Sequence, residues 1–247
     1  MKYTFIGGSP EKLDKNLILP ESIVIAIDSG FDRCADAGVV PDLLIGDLDS
    51  VRGTQRDGSS SVFRRGELCS PKDFEKLVKG NLKANTVRPY DAESEEDVPL
   101  FCPVIKKEQQ DDTDTFFALK YAISKGADEI LFLCCVEGRL DHGLANIGLL
   151  LYCRDRNIKA HMAGIKYEIR LISNEICITN PRAFKYLSLV PIFCEEASGV
   201  AIRGAKYPVE NYRLPAAPPM GVSNEFSDET VYISVEKGNL FLILTND

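Results

Sequence analysis

Four stretches of the chain carry acidic residues at spacings suited to gripping a divalent cation and, through it, phosphate groups. Asp28 closes the apolar run Ile23–Ile27. Asp47 and Asp49 sit two apart in Gly46-Asp47-Leu48-Asp49-Ser50, directly after the apolar run 43–45. Asp111, Asp112 and Asp114 crowd the start of a helical pattern, and Arg139, Asp141 and His142 follow the apolar run 130–135. In an extended segment residues two apart point to the same side, so Asp47 and Asp49 can share one cation. Mg²⁺ takes oxygen ligands and keeps waters and substrate phosphates in its shell. Carboxylates packed without a cation repel one another and are driven toward protonation. Arg139 suits bidentate contact with a phosphate.

Each feature also has a plainer reading. A D-x-D in a loop makes turns, acids favour helix N-termini, an exposed Arg pairs with a neighbouring acid, and His142 packs locally at a helix start. The chemical reading rests on convergence: all four stretches fall at strand ends, where open α/β sheets bind ligands. No GxxxxGK[ST] or GxGxxG motif is present. Gly7-Gly8-Ser9 is either a loop that lets backbone amides approach a phosphate or a simple turn.

The positioning elements alternate in the first half. Apolar runs at 3–6, 23–27, 43–45 and 130–135 predict strands buried in a parallel sheet. Residues 30–37 predict a helix stopped by Gly38, with Pro41 just beyond. Residues 114–125 predict a helix with Phe116, Leu119 and Ile123 on one face. Residues 141–154 predict another, carrying Leu144, Ile147 and Leu151. From 156 onward short runs rich in Ile, Val, Tyr and Thr, at 168–172, 175–179, 186–191, 231–235 and 240–244, predict strands. Lys237-Gly238-Asn239 is expected to turn a hairpin between the last two. The fold class is therefore an α/β N-terminal domain (1–155) with a mostly parallel, Rossmann-like sheet and an all-β C-terminal sandwich (156–247). Residues 51–109 form an enlarged linker or insertion, with a helix expected at 71–79 and a strand at 99–105.

A formal net charge of -8 over 247 residues gives no electrostatic reason to bind nucleic acid. No apolar run reaches membrane-spanning length, and the N-terminus is a poor secretion signal. Eight scattered cysteines, with no CxxC pair, read as reduced core thiols of a cytoplasmic protein.

The blocks Ile27-Asp28-Ser29-Gly30, Pro41-Asp42-Leu43-Leu44-Ile45-Gly46-Asp47-Leu48-Asp49-Ser50, Gln110-Asp111-Asp112-Thr113-Asp114 and Gly138-Arg139-Leu140-Asp141-His142 occur in the order seen in thiamine pyrophosphokinases. Gly221-Val222-Ser223-Asn224 resembles that family's late Ser-Asn motif. The resemblance implies an α/β domain, a β-sandwich and a homodimer with active sites at the subunit interface. It implies the reaction of ATP with thiamine to give AMP and thiamine diphosphate. Carried over, Asp28, Asp47, Asp49 and Asp114 are the metal site for Mg²⁺, and Asp47, Asp49, Asp114 and Arg139 carry catalysis. Asp28, Gly30, Gln110, Asp111 and Thr113 face ATP, as do Arg139, Asp141 and His142. Ser223 and Asn224 face thiamine, and Tyr207 stands where the family's stacking Trp is expected, this chain having no Trp. A β-domain core tyrosine is the other reading of Tyr207. Phe31 and Asp32 depart from the family's usual residues and would narrow the nucleotide pocket; Glu137 replaces a glycine. The competing functions are another Mg²⁺-dependent phosphoryl transferase or phosphohydrolase, and a non-catalytic thiamine- or nucleotide-binding sensor.

Overall fold

Runs of Ile, Leu, Val and Phe without polar alternation suit strands covered on both faces, and five such strands pair in parallel in the first half of the chain. β1 (Lys2–Ile6), β2 (Ile23–Ile27), β3 (Leu43–Gly46), β4 (Val104–Lys106) and β5 (Glu129–Leu133) are all parallel, in the order β4-β3-β2-β1-β5. The computed structural model describes residues 1–51, 102–107, 111–180 and 182–246. The helix expected at 71–79, the start of the strand expected at 99–105 and Gln110 lie outside the described residues.

Because β2, β3 and β4 lie to one side of β1 and β5 to the other, the strand order reverses beside β1, and connections diverge there. Helix α1 (Gly30–Asp36) links β2 to β3. It starts so close to β1 that a Cβ on Gly30 would sit 1.9 Å from the Ile6 carbonyl oxygen, so only glycine fits. It stops at Gly38, whose φ of +64° is the usual left-handed exit. Helix α2 (Asp114–Ser124) packs on β2 and β3, capped by the Thr113 hydroxyl, which accepts the Phe116 N–H at 3.2 Å. Helix α3 (Leu140–Arg154) follows β5. Its buried stripe is Ile147, Leu150 and Cys153. Leu144, expected inside, is 47% exposed. Phe31 joins the core with Ile6, Val24 and Leu44. It faces the interior of the layer, where the sequence had suggested that it narrows a nucleotide pocket.

The chain forms two compact units, Met1–Asn146 and Ile147–Asp247, and the division falls inside α3. In the second unit β6 (Lys159–Ala163), β7 (Tyr167–Ile172), β13 (Leu240–Thr245) and β9 (Tyr186–Pro191) pair antiparallel, in that order. The second sheet runs β11 (Val209–Pro215), β10 (Glu196–Arg203), β12 (Thr230–Ser234) and β8 (Glu175–Thr179), also antiparallel. Alternate residues share one core, with Leu187, Leu189, Leu240 and Leu242 of β9 and β13 against Val200, Ile202, Val231 and Ile233 of β10 and β12. This is the expected sandwich. The turn at Lys237-Gly238-Asn239, however, joins no hairpin: β12 and β13 belong to different sheets. Turn chemistry says that the chain reverses, and leaves open which sheet the next strand enters.

Candidate active site

Three carboxylates meet at the carboxyl ends of β2 and β3. Ligand oxygens of Asp28, Asp47 and Asp49 all lie within 4.8 Å of one another. Backbone geometry brings them there. Asp28 has φ +47°, a left-handed conformation that Asp tolerates better than most, and its N–H donates to the Ile45 carbonyl at 2.8 Å. Leu48 has φ +69° while its side chain is buried. The strand has already ended at Gly46, and the Asp49 N–H donates to Asp47 Oδ1 at 3.3 Å. Asp47 and Asp49 therefore converge through a tight left-handed turn anchored by Leu48, and not through the strand-like spacing the sequence suggested. A leucine at positive φ is uncommon, and such outliers gather at functional sites.

The electrostatics match. Burial pushes the Asp28 carboxyl above its ordinary value, and the nearby charges of Asp114 and Asp47 push the same way. The Ser29 backbone and the Ser50 hydroxyl oppose them. Asp28 Oδ1 is buried and makes no hydrogen bond among the described residues. Leaving a buried polar atom unsatisfied costs about 1–3 kcal/mol. An orphaned acceptor inside a group of three carboxylates is the donor set that a hard divalent cation completes, so these residues fit Mg²⁺.

The fourth expected ligand, Asp114, has a buried lysine beside it. Asp114 Oδ1 lies 2.9 Å from Lys107 Nζ, in ion-pair contact whose angle leaves that oxygen without a formed hydrogen bond. Asp114 still faces the group closely enough to act on Asp28. Lys107 is a residue that sequence reasoning missed: a lysine leaving a strand reads as solvent-facing, yet its side chain is only 4% exposed.

The remaining expected ATP contacts are exposed or engaged in local contacts. Gly30 is fixed by its approach to Ile6, Thr113 is a helix cap, and Asp111 is exposed. Asp112 pairs with Lys120. Arg139 and Asp141 bind each other at two points, Nε to Oδ1 at 3.2 Å and Nη2 to Oδ2 at 2.6 Å, with both side chains largely exposed. The Arg139 hydrogen bond lowers the Asp141 carboxyl, which also accepts the His142 N–H at 3.0 Å. Arg139, Asp141 and His142 thus form a local knot at the start of α3.

In the second unit, the segment 221–224 lies along β9. Leu189 N–H donates to the Gly221 carbonyl and Leu187 N–H to the Asn224 carbonyl, each at 2.7 Å. A Cβ on Gly221 would fall 2.0 Å from the Leu189 oxygen, which explains that glycine. Ser223 has φ +59° and is exposed, its N–H donating to Ser188 Oγ at 3.0 Å. Asn224 is buried. Its Oδ1 accepts from Tyr207 N–H at 3.0 Å and Glu225 N–H at 2.9 Å, and its Nδ2 donates to the Tyr207 carbonyl at 2.9 Å. Tyr207 is 60% exposed, so it is no core tyrosine. Asn224 braces the backbone that presents this ring, while Ser223 and Tyr207 present surface.

Parallel strands end in clustered carboxylates in one unit, and an antiparallel sandwich presents an exposed ring in the other. Residues 88–162 match the family model for the catalytic domain of thiamin pyrophosphokinase, and residues 172–240 match the model for its vitamin B1 binding domain. The two matches together span more than half of the chain, and the protein belongs to the thiamin pyrophosphokinase family of enzymes. A relative, the thiamine pyrophosphokinase of Bacillus subtilis (strain 168), is 27% identical over 246 residues, 98% of this chain and 97% of its own. The fold is shared with the crystal structure of thiamine pyrophosphokinase from Bacillus subtilis, at 24% identity and a TM-score of 0.74 over 100% of both chains. It is shared also with thiamin pyrophosphokinase from Candida albicans, at 14% identity and a TM-score of 0.66 over 99% of this chain and 89% of the other.

Proposed function

We propose that the chain transfers a pyrophosphoryl group from ATP to the hydroxyl of thiamine, giving thiamine diphosphate and AMP, with Mg²⁺ held by Asp28, Asp47 and Asp49. One observation carries the site assignment: three carboxylates from two strand ends converge around a buried acceptor, Asp28 Oδ1, that no group among the described residues satisfies.

In the reaction the thiamine oxygen forms a bond to the β-phosphorus, the bond from that phosphorus to the AMP oxygen breaks, and the hydroxyl proton passes to a carboxylate of the cluster. When bound, the cation supplies charge neutralisation to the phosphate oxygens. The protein's part is alignment and electrostatics. Gly7, packed under the Cys134 carbonyl, and Gly30, packed under Ile6, let the segments after β1 and β2 pass close to neighbouring backbone. Arg139, largely exposed, exchanges its Asp141 partner for a phosphate oxygen pair of the same fork geometry. On the sandwich, the Tyr207 ring offers a face to the cationic, flat thiamine, and Ser223 offers a hydroxyl. A homodimer belongs to the same proposal, supported by the resemblance of the motifs. A cytoplasmic location fits the free cysteines and the absence, among the described residues, of any helix long and apolar enough to cross a membrane.

Incubating the pure protein with Mg-ATP and thiamine tests this directly. AMP and thiamine diphosphate should accumulate in equal amounts and stop on addition of a chelator. ADP or free phosphate alone would point to another transferase or a phosphohydrolase, and thiamine binding without turnover to a sensor. Sedimentation at working concentration tests the dimer.

A further inference from the structure

Two segments of the sandwich, 204–207 and 224–227, run side by side. Ala205 and Phe226 form an antiparallel bridge, and the Lys206 N–H donates to the Glu225 carbonyl at 2.9 Å. This register sets two opposite charges together: Lys206 Nζ donates to Glu225 Oε1 at 2.8 Å. The same ammonium stands over the Tyr207 ring, 5.6 Å from its centre, within cation–π range. An aromatic face, a carboxylate and a cation that answers both therefore meet on one partly exposed surface. Exposed ion pairs are weak, so this one opens at little cost to the fold.

We propose that Glu225 is a specificity-determining residue that reads the positive charge of thiamine, and that Lys206 is the resting occupant that thiamine displaces. This inference rests on the thiamine reading given above. The ammonium already marks what the place accepts, a positive charge set between a ring face and a carboxylate. The thiazolium of thiamine meets both demands better. It is flat and stacks on the phenol ring, and its charge is spread over the ring, so it sheds water more readily than a compact, strongly hydrated ammonium. Lys206, on a flexible stem, returns to solvent. A neutral ring of the same shape gains the stacking and leaves the carboxylate with its lysine, so the pair sorts ligands by charge.

The test is calorimetric binding to the full chain, saturated with Mg²⁺ and an ATP analogue whose α–β bridge is a methylene group. The two probes are thiamine and its neutral thiophene analogue, in which carbon replaces the quaternary nitrogen. Glu225→Gln should weaken thiamine about tenfold and the neutral analogue by less than about twofold. Lys206→Met, which keeps the apolar stem and removes the competing charge, should tighten thiamine about fivefold and leave the neutral analogue within about twofold. Both side chains lie at the surface, and a melting curve checks that the variants fold. Thiamine binding unchanged in Glu225→Gln, or both probes weakened equally, overturns the role of Glu225. Weaker thiamine binding in Lys206→Met overturns the displacement. A wild-type chain that binds neither probe removes the thiamine reading itself, a failure distinct from either variant's.

Discussion

Asp28 holds a buried carboxylate oxygen with no hydrogen bond, whereas Asn224 in the sandwich commits both ends of its amide to backbone groups of Tyr207 and Glu225. The first polar site is under-satisfied and its backbone is bent into left-handed turns at Asp28 and Leu48. The second is complete in itself and exposes the Tyr207 ring and the Ser223 hydroxyl. The difference teaches where to look for chemistry. Unpaired buried charge is retained where a ligand will answer it, while satisfied buried amides shape a surface.

This comparison can be broken at both ends. The largest effect expected is from Asp47→Asn, which should lower kcat about 10³-fold with an unchanged far-UV spectrum, the scale of a lost transition-state charge contact. Turnover near the wild-type rate would remove the cation from the mechanism. Asn224→Ala should cost about 2–3 kcal/mol of stability in denaturant titration, because three backbone groups lose their partner. A loss confined to thiamine binding, with stability intact, would make Asn224 a ligand contact and undo the contrast. Tyr207→Ala should do the reverse, raising the KM for thiamine by roughly 5- to 30-fold while changing stability by less than about 0.5 kcal/mol.

The smallest effect concerns pH. Burial raises the folded Asp28 carboxyl above its ordinary 3.8, so the folded state binds this proton more tightly than the unfolded state does. That contribution to stability is present below pH 3.8 and is lost as pH climbs through the folded value. At neutral pH, Asp28→Asn should therefore melt higher in the metal-free state, by about 1 kcal/mol, at the expense of activity. Added Mg²⁺ should stabilise the wild type and leave this variant unmoved. An Asp28→Asn protein less stable than wild type at neutral pH would show that the carboxylate is not strained.

Much of the first unit was legible because strands buried on both faces leave uninterrupted apolar runs, and Asp residues mark where those runs end. The helix ends at Gly38 and Gly126 were readable for the same local reason, since both carry positive φ. What stayed hidden depended on which groups the side chains meet, which sequence pattern does not name. Nothing around Lys107 announces that its ammonium turns inward, because its compensation comes from the Asp112 carbonyl and the Asp114 carboxylate. Asn224 was placed near the substrate by resemblance, and its bracing of Tyr207 needed coordinates. The helix α3 stripe was shifted by one position because helical periodicity leaves the direction of the core open, and Leu144 ended on the outer side.

The passage of the chain from β12 into β13 has a consequence for synthesis. β13 is the central partner of both β7 and β9, yet it is made after every other described strand. Until residues 240–245 leave the ribosome, the two strands flanking it have no neighbour between them, and their apolar inner faces wait uncovered. Assembly of this half is thus bound to be late and all at once, and the waiting strands are the segments most in need of a chaperone.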